Sequence, residues 1–191
     1  MASKKTKTAV GSAAVIAAVI AFTARQEGTD LVAKRDPVGT GHPITYCHGQ
    51  TDEFGKVKVG QRFTPAQCDK KLAESLPKYL VPLEACITAD LSPKTEGALL
   101  DAAYNAGPAA VCKSPMVAKM NAGDLVGGCN AFPGWYIRGD GHVLKGLINR
   151  RNGEKQLCLA GLSEPKPQLE PRPTSRLVQL FLKLKGSFFH G

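Results

Sequence analysis

Residues 27–49 read EGTDLVAKRDPVGTGHPITYCHG and hold the pattern on which the fold turns. Glu27 comes three residues after an apolar stretch ends at Ala24, and Asp36 comes nine residues later. On one continuous helix, nine residues make two and a half turns, which would place the two carboxylates on opposite sides. Gly28 and the pair Asp36-Pro37 break such a helix, so the segment is expected to fold back as a hairpin that brings them face to face. A glutamate at the end of an apolar helix has its pKa raised and suits a general acid, whereas an aspartate in a polar, glycine-rich loop stays ionised. Glycoside hydrolysis requires that division of labour. Acidic pairs occur in any domain, so this pattern alone does not select the reaction.

Upstream, Lys4, Lys5 and Lys7 precede an uncharged run from Thr8 to Ala24 that has the layout of an export signal. Its 17 residues would reach about 25 Å as a helix, against a hydrocarbon core of about 30 Å. Seven of them are alanine, and Gly11, Ser12 and Thr23 add further mild positions. Such a segment is expected to insert into a bilayer with little free energy holding it there. A cut after Ala24 would place Phe22 where a signal peptidase requires a small residue, so an uncleaved anchor is expected, with a cleaved signal peptide as the alternative. Six cysteines suit an oxidising compartment beyond the inner membrane under either reading.

Downstream, residues 25–62 are too often interrupted by glycine and proline for long helices and read as loops and short strands. From Thr64 the texture changes. Thr64-Pro65-Ala66-Gln67 starts a helix with a threonine cap, proline at the first position and glutamine at the third, and Leu72, Leu76 and Leu80 follow at four-residue spacing. Ser92-Pro93-Lys94-Thr95 opens a second helix that ends at Asn105-Ala106-Gly107, and Met116–Met120 and Leu147–Leu159 read as two more. The result is an α+β arrangement, a small β-rich lobe followed by a larger helical lobe. Residues 163–175 hold four prolines and read as an extended linker. Residues 176–191 form a basic tail in which Leu177, Leu180, Phe181 and Leu184 fall on one helical face, suited to a lipid surface or to docking on the body.

The charge is unevenly placed. Of the net +9, residues 1–24 supply three lysines without an acid, and residues 163–191 supply five basic side chains against two acidic ones. The body from 25 to 162 is therefore near balance, which argues against a nucleic-acid-binding domain. No Walker-type phosphate loop and no C-x-x-C pair is present. No cofactor, metal or nucleic acid is expected, and the chain is expected to act as a monomer.

Several segments together resemble the phage-type lysozymes, family 24 of the glycoside hydrolases, and within it the endolysins with a signal-arrest-release segment. These are Glu27-Gly28, Asp36, the run Thr45-Tyr46-Cys47-His48-Gly49, Thr64 with Cys68, and Ala103-Tyr104-Asn105-Ala106-Gly107. Gly128-Cys129 and Gly146-Leu147-Ile148-Asn149-Arg150-Arg151 with Glu154 and Cys158 follow in order. The similarity spans residues 9–162. It implies a lysozyme-like fold with the active site between the lobes, and muramidase action on the β-1,4 bond between N-acetylmuramic acid and N-acetylglucosamine of peptidoglycan. By that resemblance Glu27 protonates the leaving oxygen, while Asp36 stabilises the transition state and positions water together with Thr45. The family usually has about six residues from the aspartate to the threonine; here there are nine. Thr40-Gly41-His42-Pro43 thus contains a three-residue insertion, and Thr40 is the other candidate for the threonine. Matching cysteine positions imply Cys47–Cys68 and Cys129–Cys158, leaving Cys86–Cys112. The chain would divide as 1–24 anchor, 25–162 catalytic domain, 163–175 linker and 176–191 tail. It would be tethered to the inner membrane through residues 8–24 and later soluble in the host periplasm. On release, the valine, isoleucine and phenylalanine side chains of the segment would be buried in the protein. No cysteine lies in residues 1–24, so release would not exchange a disulfide with the anchor.

The remaining candidates carry two readings each. Tyr104, Asn105, Trp135 and Arg138 are candidates for substrate binding, with Tyr136 beside them in the stretch PGWYIRGDG (133–141), although a single tryptophan also suits a core. Arg150 and Arg151 suit peptidoglycan carboxylates or pairing within the helical lobe. His42 and His48 lack the glutamate of a zinc helix and suit loop hydrogen bonds. Cys47 beside His48 has the look of a nucleophile, but in an exported chain a disulfide is the ordinary fate. A lytic transglycosylase, or a non-catalytic wall- or membrane-binding protein on the same scaffold, is the rival function.

Overall fold

A computed structural model describes residues 9–26, 29–36, 42–51, 55–139 and 141–164. The linker from residue 165 on, the basic tail and Glu27 lie outside the described residues.

The helical lobe is built around α4 (Pro93–Ala106). Ser92 caps it by accepting from the Thr95 amide, and Pro93 at the first position gives up an N–H that would have had no helical partner. Thr95 to Ala103 are all buried, so this helix is enclosed on every side. Its small residues make that possible. A Cβ on Gly97 would lie 3.3 Å from the Ala18 Cβ of α1 (Ala9–Gln26). On the other side, Gly161 of α8 (Lys145–Leu162) sits so close to the start of α4 that a Cβ there would meet the Thr95 nitrogen at 2.6 Å. Leucines from α2 (Pro65–Ser75) and α3 (Pro77–Glu84) join Val15 and Val19 of α1 in the main core. Met116, Val117 and Met120 of α6 (Pro115–Asn121) and Phe132 complete it.

The capping box at Thr64 is present as its sequence requires, with both reciprocal bonds between Thr64 and Gln67 made. The Leu72–Leu76–Leu80 row is buried, but the helix carrying it is divided at Leu76. Pro77 has no N–H to donate and restarts the chain as α3 in nearly the same direction. The short helices α5 (Pro108–Cys112) and α7 (Leu125–Asn130), and the hairpin of β4 (Arg138–Gly139) and β5 (His142–Val143), have no periodic signature in the sequence.

The β lobe is an antiparallel sheet in the order β1 (Asp30–Arg35), β2 (Ile44–Cys47), β3 (Gln50–Thr51). Ala33, Tyr46, Val57 and Phe63 form its own small core, with the Tyr46 and Phe63 rings stacked at 5.0 Å. Three disulfides link Cys47 to Cys68, Cys86 to Cys112 and Cys129 to Cys158. The first ties β2 to α2 across the lobes. The third ties α7 to α8.

The position 24/25 that separates segment from body in the sequence falls inside α1. Val15, Val19 and Thr23 of this helix are buried in the body, one turn apart along a single face, while Ala13, Ala14, Ala17 and Ala21 are exposed. Among the described residues no helix is long and apolar enough to cross a membrane.

Candidate active site

Sheet register places two of the three expected catalytic residues. Lys34 pairs with Thr45 and Arg35 with Ile44, and the ladder continues one step as the Asp36 amide donates to the Pro43 carbonyl at 2.9 Å. Asp36 therefore stands opposite Pro43, two positions from Thr45. Side chains two apart on a strand share a face, and diagonal neighbours across an antiparallel pair lie about 7–8 Å apart at Cα. Asp36 and Thr45 are such a diagonal pair. Asp36 and Pro43 hold this register on either side of the segment in which the resemblance implies a three-residue insertion. Thr40 lies outside the described residues. The described ends of the two strands are clamped to each other: Arg35 donates to the His42 carbonyl at 3.0 Å, and the His42 ring nitrogen Nδ1 lies 3.2 Å from the Asp36 carbonyl.

Thr45 shares one further property with the Nδ1 of His48 and the Nε2 of Gln50. Its hydroxyl oxygen is buried and finds no hydrogen-bond partner among the described residues. A buried hydroxyl without a partner loses about 1–3 kcal/mol relative to its hydrated state, so this one is poised to bond something the apoprotein does not supply.

The two lobes also meet at Tyr104 and His48. Tyr104, near the end of α4, donates through its hydroxyl to the His48 carbonyl at 3.2 Å. His48 is buried, its Nε2 3.0 Å from the Asp69 carboxylate on α2, and its amide donates to the Gln50 side chain. Both histidines are thus engaged in loop hydrogen bonds, as their positions in the sequence suggest.

Four of the charged groups sit in a buried network between α4 and α8. Arg150 grips Asp101 with two bonds, Nε to Oδ2 at 2.9 Å and Nη2 to Oδ1 at 3.0 Å. Arg151 is wholly buried, lying 3.1 Å from Glu154 and donating to the Asn105 side chain at 2.5 Å. Its approach to Glu154 is not aligned as a hydrogen bond. Burial, reinforced by the negative charge of Asp101, holds the Glu154 carboxyl well above the usual carboxylate range, and burial likewise lowers the pKa of Arg151. The Arg151 guanidinium also lies over the Trp135 ring, 5.3 Å from its centroid.

Arg151 thereby brings two expected substrate-binding residues, Asn105 and Trp135, to one place at the end of α4. Tyr104 precedes Asn105 and faces the β lobe. Arg138 is different: it is exposed and donates to the Gly141 carbonyl of its own hairpin at 3.2 Å. No described hydrogen bond, ion pair or ring contact joins it to Tyr104, Asn105 or Trp135. Asp101 is the functional neighbour that pattern reading missed. Its signal was a lone acid inside the apolar run Ala98-Leu99-Leu100-Asp101-Ala102-Ala103, a position that demands a cationic partner.

The phage lysozyme family matches residues 24–154. The chain belongs to that family. It is 30% identical over 163 residues to the SAR-endolysin of Enterobacteria phage PA-2, covering 83% of this chain and 95% of that protein. It is 34% identical to the SAR-endolysin of Pseudomonas phage phiKMV, covering 81% and 92%. Among solved structures, the endolysin of Escherichia coli O157:H7 phage FAHEc1 superposes with a TM-score of 0.63 at 26% identity, covering 81% of this chain and 94% of that one. The active form of the P1 phage endolysin Lyz superposes with a TM-score of 0.58 at 25% identity, covering 81% and 94%. This phage lysozyme is a muramidase, an endolysin of host-cell lysis whose substrate is peptidoglycan.

Proposed function

We propose that Glu27, Asp36 and Thr45 carry the muramidase reaction on the β-1,4 bond between N-acetylmuramic acid and N-acetylglucosamine. Glu27 gives its proton to the glycosidic oxygen as the bond to the anomeric carbon breaks. Asp36 stays ionised and stabilises the positive charge that develops on the sugar ring. Thr45 and Asp36 hold the attacking water between them, and the water's proton passes to a carboxylate as its oxygen joins the anomeric carbon. The single observation that carries this reading is the unpartnered buried hydroxyl of Thr45 on the same sheet face as Asp36. It also favours Thr45 over Thr40, because Thr45 is paired in the ladder beside Asp36. Tyr104, Asn105 and Trp135 line the saccharide groove on the helical side, and Arg138 lies at the exposed hairpin beyond it.

The enzyme works in the host periplasm as a monomer, after release of residues 8–24 from the inner membrane. Burial of Val15, Val19 and Thr23 in the body supports this, because the same segment has a second place to go once it leaves lipid. The likeness to SAR-endolysins and to the active form of the P1 enzyme points the same way.

Clearing of wall-containing cell suspensions by the purified full chain, compared with Glu27→Gln, tests the catalytic assignment. Loss of clearing by at least about a hundredfold is expected, and equal clearing would reject it. Mass spectrometry of the digest should find reducing muramic ends; anhydromuramic ends would instead mark a lytic transglycosylase.

A further inference from the structure

Between Ser12 and Thr23 every side chain of α1 is alanine, valine, isoleucine or phenylalanine. Van der Waals packing of so uniform a helix discriminates weakly between docking registers, and buried polar contacts are the best-attested means of fixing one. Two features of α4 meet α1 in matched spacing. Gly97 lies under Ala18 and Val19: a Cβ at that position would be 3.3 Å from the Ala18 Cβ and 3.6 Å from the Val19 Cγ2. Asp101, one turn further along α4, accepts a hydrogen bond from the Thr23 hydroxyl at 3.2 Å, and Thr23 is one turn beyond Val19. The same Asp101 oxygen is held by Arg150, so the acceptor is itself fixed. A slip of α1 by one turn would set Val19 against Asp101 or Thr23 over Gly97. A slip of one residue would turn its faces by 100°.

We propose that Thr23 is a positioning residue whose hydrogen bond to Asp101 sets the register in which α1 docks, and with it the place where the chain delivers Glu27. Glu27 follows Thr23 by four residues. The inference rests on the reading of Glu27 as the acid. It assigns to the segment that leaves the membrane a specific contact by which correct docking is recognised.

The test is steady-state kinetics of the purified full chain on soluble peptidoglycan fragments, with Thr23→Val, Thr23→Ser and Glu27→Gln side by side. Valine keeps the shape of threonine and removes the donor. Displacement of a reacting group by about 1 Å costs up to a hundredfold, so Thr23→Val is expected to lower kcat about tenfold or more while KM stays within about twofold. Thr23→Ser, which keeps the hydroxyl, should return kcat to near the wild-type value. An unchanged kcat in Thr23→Val, or a Thr23→Ser variant as slow as Thr23→Val, would overturn the proposal while leaving the role of Glu27 standing. A fully active Glu27→Gln would overturn the catalytic reading itself, and the register proposal with it.

Discussion

Two helices of 18 residues, α1 and α8, lie against α4, and the ways they are held there could scarcely differ more. Helix α8 is fastened by chemistry that cannot be undone without unfolding. Cys158 is joined to Cys129, Thr95 donates to the Cys158 carbonyl, and Arg151 and Glu154 are buried with their charges facing partners on α4 and α8 itself. Helix α1 carries no cysteine and no charged residue from Ala9 to Ala24. Over residues 12–23 it is joined to the body by packed methyl groups and the Thr23–Asp101 hydrogen bond. Apolar packing is the one kind of attachment that lipid can replace at little loss, whereas a buried arginine or a disulfide has no equivalent in a bilayer. Under the release proposed above, the contrast explains how one α4 can carry both a permanent neighbour and one that arrives late.

The comparison breaks most visibly at Arg151. Truncation in Arg151→Ala removes the bond to Asn105, the guanidinium over Trp135 and the nearer of the two cationic partners of Glu154, and leaves a void where a long side chain was wholly buried. A loss of about 3–5 kcal/mol is expected, read as a drop in the denaturant midpoint of the purified protein, together with impaired clearing activity.

A smaller effect sharpens the other side. Ala13, Ala14 and Ala17 are exposed when α1 is docked, whereas Ala18 lies over Gly97. Leucine at the first three positions should leave the docked enzyme undisturbed and favour the bilayer by about 1–2 kcal/mol. Lysis should be delayed, with more protein in the membrane fraction, and activity of the purified soluble form unchanged. Leucine at Ala18 would also obstruct docking, so a single Ala18→Leu change should reduce activity even in solution.

The third expectation concerns pH. The Glu154 carboxyl titrates higher in the folded protein than in the unfolded chain because burial, and then Asp101, oppose its charge. Its contribution to stability is therefore full below the unfolded pKa of about 4.3 and is lost as pH rises through the folded value. Wild-type stability should decline relative to Glu154→Gln as pH rises from about 4. The opposite trend would mean that the ion pair with Arg151 outweighs desolvation.

What was legible in the sequence followed from local chemistry. The Thr64 box and the Ser92 cap declare helix starts within four residues, and the glycines and prolines of 25–62 exclude long helices there. The change of texture at Thr64 set the lobe order, and the resemblance supplied the cysteine pairs present in the structure. What was not legible depends on distant partners. Nothing near Pro77 says whether a proline will end a helix or only divide it, and nothing near Ala18 announces Gly97. The short elements α5, α7 and β4–β5 owe their shape to caps, turns and the helices they cover, and carry too few residues for periodicity to register. The catalytic candidates were read from carboxylate spacing and resemblance, while the pairing of Asp36 with Thr45 needed the sheet register.

The central claim is that the apolar segment proposed to leave the membrane is a core helix of the working enzyme. Amide hydrogen exchange of the purified, soluble, active full chain tests it directly. Protection across Val15 to Thr23 should match that of Leu99 to Ala103 in α4 and be lost only with global unfolding. Exchange of Val15 to Thr23 at the rate of a free peptide, in protein that still clears cell walls, would contradict it.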